Sequence, residues 1–520
     1  MLLGVTLLAS CKKVLDVAPY DSLTDATAFS SAARVDLTMN GVYDAAQSGF
    51  YNGSYVNNRG YPFGSASIQQ GDMRGEDMAT QQTFYQITNE ATYNATTANN
   101  VNMWGNLYAL INKANLTVDG LAGAVTKGTI TAAIGNQYTA ECRFLRALAI
   151  HEALTHFARP FADGNGAKLG VVIREFGINS DGTVEKAKTI PRTTVADCYA
   201  HVLADLDFAE ANLSSVKNTF RATKTAAIAL KMRVKMHMQD WAGVVTEGAK
   251  IVSATAATNF KSPFGDSLNA SPAGAFGTTA APVASSPENI FSIRNDATDN
   301  PGTNAALARM WGRPSSRGVA VVSPIIFNLP TWRCDDTRRT LLLVQGANYY
   351  YTAKYVDYTN WADAAPIIRY AEPLLILAEA EARIATGTNV SMRAINLLNQ
   401  VRNRAVPASA YYTAATFTTK NELIKAILDE RRIEFLAEGK RWGDIHRLAL
   451  DPDFNTGGIP AKMSAISGTA LVLASYNCAA GSAGLTKNVA AMPYSDYRFI
   501  WPIPIDEKQN NPIIEQNPNY

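Results

Sequence analysis

The stretch from Ala222 to Val252 sets the strongest limit on what this chain can become. Apolar residues recur at helical spacing from Ala222 to Met238, a turn falls at Gln239-Asp240, and a second helical pattern runs from Trp241 to Val252. A helical hairpin of this size cannot cover its own apolar face, so the chain has to stack further hairpins on it. Two more are expected. Pro366–Ala385 and Ser391–Ala405 form one, with Pro373 kinking or restarting its first helix. Asn421–Ala426, running into the stretch 427–448, forms the other.

Further helices are expected over 24–48, from Trp104 through WGNLYALINKANLTVDGLA, over about 136–158 and over Val195–Leu213. Arg159-Pro160 ends the third of these. Within it, His151-Glu152 followed by His156 nearly matches a zinc-protease motif, but five residues turn a helix by roughly 500° and place the second histidine about 140° from the first. No metal site is expected there. Between these helices lie three loop-rich stretches, 51–103, 255–365 and 451–520, with strand-like pieces at 288–294 and 318–327. The fold expected is mostly α: tetratricopeptide-like helical hairpins forming a superhelix over about 24–50, 104–254 and 366–448, with a loop-rich, irregular subdomain inserted. The hairpins are recognised by length and not by a repeat consensus.

The stretch 427–448, ILDERRIEFLAEGKRWGDIHRL, carries many charges beside a large aromatic, which invites an active-site reading. Opposite charges three or four residues apart (Asp429 and Arg432, Arg431 and Glu434, Glu438 and Arg441, Lys440 and Asp444) favour a structural helix pair with solvated or mutually paired faces. Trp442 is expected to be a packing anchor, as are Trp104, Trp241 and Trp501.

Charge excludes one class of partner. With 47 basic and 45 acidic residues and no dense Lys/Arg run, nothing points to nucleic acid. The 22 Tyr outnumber the 19 Phe, which suits half-exposed surfaces that grip polar ligands. Residues 1–10 are apolar or small and fit a signal-peptide apolar region, although no Lys or Arg precedes them. Leu8-Ala9-Ser10-Cys11 resembles a bacterial lipobox, which would make Cys11 the lipidated first residue of a mature chain over 11–520. The other four cysteines, Cys142, Cys198, Cys334 and Cys478, lack zinc-ligand spacing. Two of them sit in apparent helices as small core residues, and one disulfide is compatible with an oxidising compartment.

Several segments together resemble the SusD/RagB family of surface nutrient-binding lipoproteins: ECRFLRALA at 141–149, RATKTAAIALKMRVKMHMQDWAGVV at 221–245, PENIFSI at 287–293 and IIRYAEPLLILAEAEAR at 367–383. INLLNQVRNRA at 395–405, DERRIEFLAEGKRWGDIHRL at 429–448 and the ending with Pro502-Ile503-Pro504 and Asn517-Pro518-Asn519-Tyr520 continue the likeness in order. The resemblance implies a single SusD-like domain, anchored by lipid to the outer membrane and exposed at the cell surface. It implies a partner, a SusC-like TonB-dependent transporter, and an oligosaccharide or polysaccharide ligand, with peptide as the alternative. It implies no catalysis and no cofactor.

A sugar site wants aromatic faces beside Asn, Asp, Gln and Arg. Two loop regions supply both. By position in the family, the expected ligand-binding residues are Trp311 and Tyr93, with Asp72 and Arg74 from GDMRGED at 71–77, and Tyr85, Arg309 and Trp332 beside them. The competing classes are a glycoside hydrolase using Asp72, Glu76, Asp77, Asp335 or Asp336, which needs two carboxyls about 5–9.5 Å apart, and a scaffold that binds only the transporter.

Overall fold

A computed structural model describes residues 25–48, 59–253, 259–277, 283–312, 316–466 and 471–520. Cys11 and its lipobox lie outside the described residues. The chain is mostly helical. Its principal helices are α1 (Ala32–Gln47), α2 (Ala66–Arg74), α3 (Thr83–Asn89), α4 (Ala98–Thr126), α5 (Ala132–Phe157), α6 (Val195–Asn212), α7 (Lys224–His237), α8 (Trp241–Ile251), α9 (Ala371–Ile384), α10 (Met392–Arg402), α11 (Lys420–Glu434) and α12 (Lys440–Arg447).

The helix starts are written in side chains. Ser31, Thr131, Thr194, Thr223, Asp240, Ser391 and Thr419 each accept a backbone N–H of the first turn they open. Each such cap is worth about 1 kcal/mol. Thr419 and Glu422 close a full capping box at α11. From α4 onward the helices pack in chain order, α4 on α5, α5 on α6, α6 on α7 and α7 on α8. α8 then packs on α9 across the whole loop-rich insertion, and α9 carries α10 and α11. Leu374, Leu375, Ile376 and Leu377 are all buried, so α9 is covered on every side over this turn and lies at the centre of the frame.

Two sequence expectations are corrected here. The first helix of the second hairpin does not begin at Pro366: Ala365–Arg369 is a strand, and helix starts at Ala371. Ile367 and Ile368 favour the extended chain, and Pro373 sits in the first turn, where no N–H is needed, so it kinks nothing. The stretch 51–103 also holds two short helices, α2 and α3, whose polar sequences carry no clear apolar period.

Short antiparallel ladders tie the loop-rich segments together. β1 (Met78–Thr80) pairs with β3 (Ala320–Val322), and β2 (Asn289–Ile293) pairs with β4 (Ala365–Arg369). Ala79, Val321, Ile325, Tyr351, Met463 and Leu471, drawn from all three loop-rich stretches, close a small apolar cluster of their own. Cys334 and Cys478 are joined by a disulfide, while Cys142 and Cys198 are free and buried in the core.

Candidate functional site

The GDMRGED turn is a socket for the stretch 427–448. Asp72 accepts the N–H of Gly439 at 2.9 Å, and burial pushes its carboxyl well above the usual range. Glu76 is held by Arg441 at 2.7 Å, and Asp77 by Arg432 at 3.0 Å. Arg74 lies 3.4 Å over the Trp442 ring and donates to the Phe499 carbonyl and to His156 Nδ1; burial brings its pKa down to about 10. Since arginine only donates, His156 carries its proton on Nε2 and gives it to Glu152 at 3.1 Å.

The expected ligand-binding residues are therefore corrected on burial. Trp311 and Tyr85 stack on each other, ring centres 5.5 Å apart and planes 4° from parallel, and both are fully buried. Tyr93 is buried edge-on to Trp501 and donates to the Arg498 carbonyl. Trp332 is buried under the Arg339 guanidinium, 4.3 Å away. Asp72 and Arg74 are buried as described, and Arg309 is half-buried, its carbonyl tied to the N–H of Arg317. None of the six buried side chains offers a face to a ligand. Of the remaining hydrolase carboxylates, Asp336 is buried against Arg338 and Asp335 is exposed and paired with Arg333, both at 2.7 Å.

The charges of 427–448 are mostly buried, and their partners are not those the spacing suggested. Glu434 meets Arg338, Arg369 and Arg404; Glu438 meets Lys354 and Arg369; Arg431 and Arg447 both meet Asp444; Arg447 also holds Glu379. Burial opposes the charge on Glu434, but the three arginines outweigh it and hold the carboxyl at about 2. Trp442 is buried and donates Nε1–H to the Thr155 carbonyl at 2.9 Å, the anchor the sequence indicated. Beside it lies an interior cavity of about 80 Å³ lined by His151, His237, Arg233, Glu372 and Lys440, which has room for a few waters.

The large concave surface lies elsewhere. The β2–β4 ladder sets the end of β2 beside the start of β4, Ile293 opposite Ala365, so the loops 294–301 and 353–364 leave the same edge. Asn295 Nδ2 ties them by donating to the Asp363 carbonyl at 2.7 Å, and Asn300 Nδ2 does so to the Asn360 carbonyl at 3.3 Å. Asp363 folds the second loop by accepting the N–H groups of Val356 and Asp357, both at 3.0 Å, and burial raises its pKa to about 6. One hollow of about 580 Å³ runs along this loop, past Phe276, Asp357, Tyr358 and Asn360. A second, of about 480 Å³, continues toward α1 past Asn40, Tyr43, Asp44, Asn218 and Asp299. Phe220 and Arg294 line both, which makes them one groove.

Trp361 stands between Asn360 and Ala362, two residues of the groove wall. It is only partly buried, and its φ is 59°, a conformation bulky residues rarely adopt. Strain of this kind costs about 1–3 kcal/mol and persists where the surroundings impose it, often at binding sites. The sequence reading passed over Tyr358 and Trp361; the signal was a Trp amid turn-forming residues, YTNWADAA at 358–365. Among the described residues, no cluster of histidine, cysteine and carboxylate side chains could hold a metal ion.

Comparison with known proteins agrees from several directions. The model described as "SusD family" matches residues 335–520, and the model described as "Starch-binding associating with outer membrane" matches residues 13–236. SusD-like protein P38 of Formosa agariphila is 24% identical, with 100% of this chain and 98% of that protein covered. The crystal structure of a SusD superfamily protein from Bacteroides fragilis superposes with a TM-score of 0.73 at 26% identity, covering 94% of this chain and 99% of that one. A SusD-like carbohydrate binding protein from Bacteroides vulgatus shares the fold at 17% identity, TM-score 0.70, over 93% and 97% of the two chains. With the helical frame, the loop-rich half and the motifs in the same order, the chain belongs to the SusD-like family.

Proposed function

We propose that this chain is a non-catalytic, cell-surface glycan-binding lipoprotein. It captures oligosaccharides in the groove between α1 and the loops 294–301 and 353–364, and delivers them to a SusC-like TonB-dependent transporter. The observation that carries the reading is the groove itself: two joined hollows walled by Phe220, Tyr43, Tyr358, Asn40, Asn218 and Arg294, with the partly buried Trp361 lying in the chain between the wall residues Asn360 and Ala362. Aromatic faces pack against the CH faces of sugar rings, and the amides and the guanidinium bond to their hydroxyls. A dissociation constant between roughly 1 mM and 1 µM needs only about 4 to 8 kcal/mol, which two aromatic faces and a few hydrogen bonds provide. Further support comes from the family description that names starch binding and the outer membrane, and from the carbohydrate-binding relative of the same fold. Cys11 is the proposed anchor. No helix among the described residues is long and apolar enough to cross a membrane.

The test is affinity electrophoresis and calorimetry of the purified chain against a broad polysaccharide panel and a peptide panel. Binding of at least one glycan, weakened tenfold or more by Trp361→Ala and by Arg294→Ala, supports the reading. Binding of peptides with no glycan bound sinks it in favour of a peptide carrier. Delivery is tested by deletion: uptake of the bound glycan should stop, and the protein should co-purify with a β-barrel transporter in mild detergent.

A further inference from the structure

The two halves of the groove differ in chemistry. In the half against α1, Asp44 and Asp299 are both exposed on the wall of the same hollow. Among the described residues neither carboxylate makes a hydrogen bond or a close ion pair, and partial desolvation and then the charge of Asp299 raise the pKa of Asp44. Two of the local arginines each hold a carboxylate. Arg221 is bound to Glu141 at 2.7 Å, and Arg294 to Asp296 at 3.3 Å. Lys113 offsets part of the charge on Asp44 without forming an ion pair with it.

A second, independent observation comes from the floor of this hollow. Gln47 is 3% exposed, and its Nε2 donates to the Arg294 and Asp299 carbonyls and to Asn295 Oδ1. Those three acceptors fix which end of the amide is nitrogen, and they leave Oε1 buried without a partner. Ser292 lines the same hollow, is 1% exposed, and has an unpartnered Oγ. Buried polar atoms left unpaired are costly, and two of them on residues that line the hollow favour a polar partner there. Two carboxylates and one amide carbonyl ask for hydrogen-bond donors, the Ser292 hydroxyl can take either role, and the two carboxylates repel anions.

We propose that this half of the groove is a subsite for a sugar ring that offers donors, neutral or ammonium-bearing, and that it rejects uronate and sulfate groups. The inference rests on the carbohydrate-binding reading above and narrows it to a charge class. A uronate here would stand beside two carboxylates, with Arg221 held by Glu141 and Lys113 offsetting only part of the charge on Asp44, whereas a ring hydroxyl or an ammonium meets acceptors.

Competition calorimetry on the full chain would test this with neutral gluco-, xylo- and manno-oligosaccharides, chitosan oligosaccharides, and alginate, polygalacturonate and carrageenan oligosaccharides. The expected result is binding confined to neutral or chitosan oligomers, weakened tenfold or more in the double variant Asp44→Ala/Asp299→Ala. Both residues are exposed, and an unchanged melting temperature confirms that the variant is folded. An anionic oligomer that binds as tightly as any neutral one overturns the proposal, and so does a double variant with unaltered affinity; in both cases carbohydrate binding itself would stand. If no saccharide of any charge binds, the carbohydrate reading falls and this subsite with it.

Discussion

Gly71 and Gly439 touch backbone to backbone: a methyl group on Gly71 would lie 2.2 Å from the carbonyl oxygen of Gly439. Gly439 also has φ +73° and lies against the Ile68 backbone. This is where the GDMRGED turn seats on the last helices of the frame. Gly71→Ala forces rigid backbone apart, so it should lower stability by about 2 kcal/mol or more, read as a shift in urea midpoint. Glycan affinity of the folded fraction should be unchanged, because the groove is built from other residues.

Trp442 lies beneath Arg74 and bonds to the Thr155 carbonyl, linking α12 to α5 and α2. Trp442→Ala removes that bond and leaves a large cavity, at a cost of about 3–5 kcal/mol. Ligand preference across the panel should stay as in the parent. An altered preference without destabilisation would return this stretch to the list of binding surfaces.

Glu434 balances three buried arginines. Glu434→Gln leaves Arg338, Arg369 and Arg404 short of one negative charge, and should cost about 3–5 kcal/mol in denaturant unfolding. Replacing exposed Lys425, whose partner Asp429 also holds Thr331, should cost under about 1 kcal/mol.

Acid should unfold the chain in two stages. Burial lowers the pKa of His151 to about 3, with Arg233 adding to the effect, and likewise that of His446. Free histidine titrates near 6.5, so the unfolded chain binds more protons, and stability falls as pH drops below about 6.5. Glu434 and Glu372, both held near 2, add a second loss that begins below about 4.5. Urea midpoints at pH 7, 5.5 and 4 would show it. His446→Gln can still donate to the Ala158 carbonyl and removes one titrating ring, so the slope between pH 6.5 and 4.5 should flatten.

The helices could be read from the chain because caps and apolar periods are local. The helix starts expected at Ser391 and at Trp241 are kept to within a residue, and Ser391 and Asp240 cap them. The charges of 427–448 could be read only in part: Arg432 and Asp429 are close in sequence, yet Arg432 reaches Asp77, 355 positions away. Nothing local encodes that choice. The aromatics misled for a related reason. Trp311 and Tyr85 lack a helical pattern because they sit on very short helices, Leu307–Trp311 and α3, inside the loop-rich stretches, and both pack into the main core. Burial there is set by the convergence of three distant segments, which no periodicity reports. The groove follows from the same convergence, so Trp361 and Arg294 gained meaning only once β2 had been paired with β4.

Reduction should weaken the fold. The bond between Cys334 and Cys478 spans 144 positions, and loops of that length gain about 2–4 kcal/mol from closure. Cys334 is exposed, so dithiothreitol should lower the melting temperature of the parent and leave that of Cys334→Ser/Cys478→Ser unchanged.

That same bond turns the segment from 334 to 478 into a covalent ring, and α9, α10, α11 and α12 all lie inside it. A protease that cuts once within the ring does not release a fragment. The two new ends stay joined through the cystine, and the hairpins keep their neighbours. For a protein proposed to work outside the cell among other organisms' enzymes, a single nick would then be survivable, visible only when the gel is run under reducing conditions.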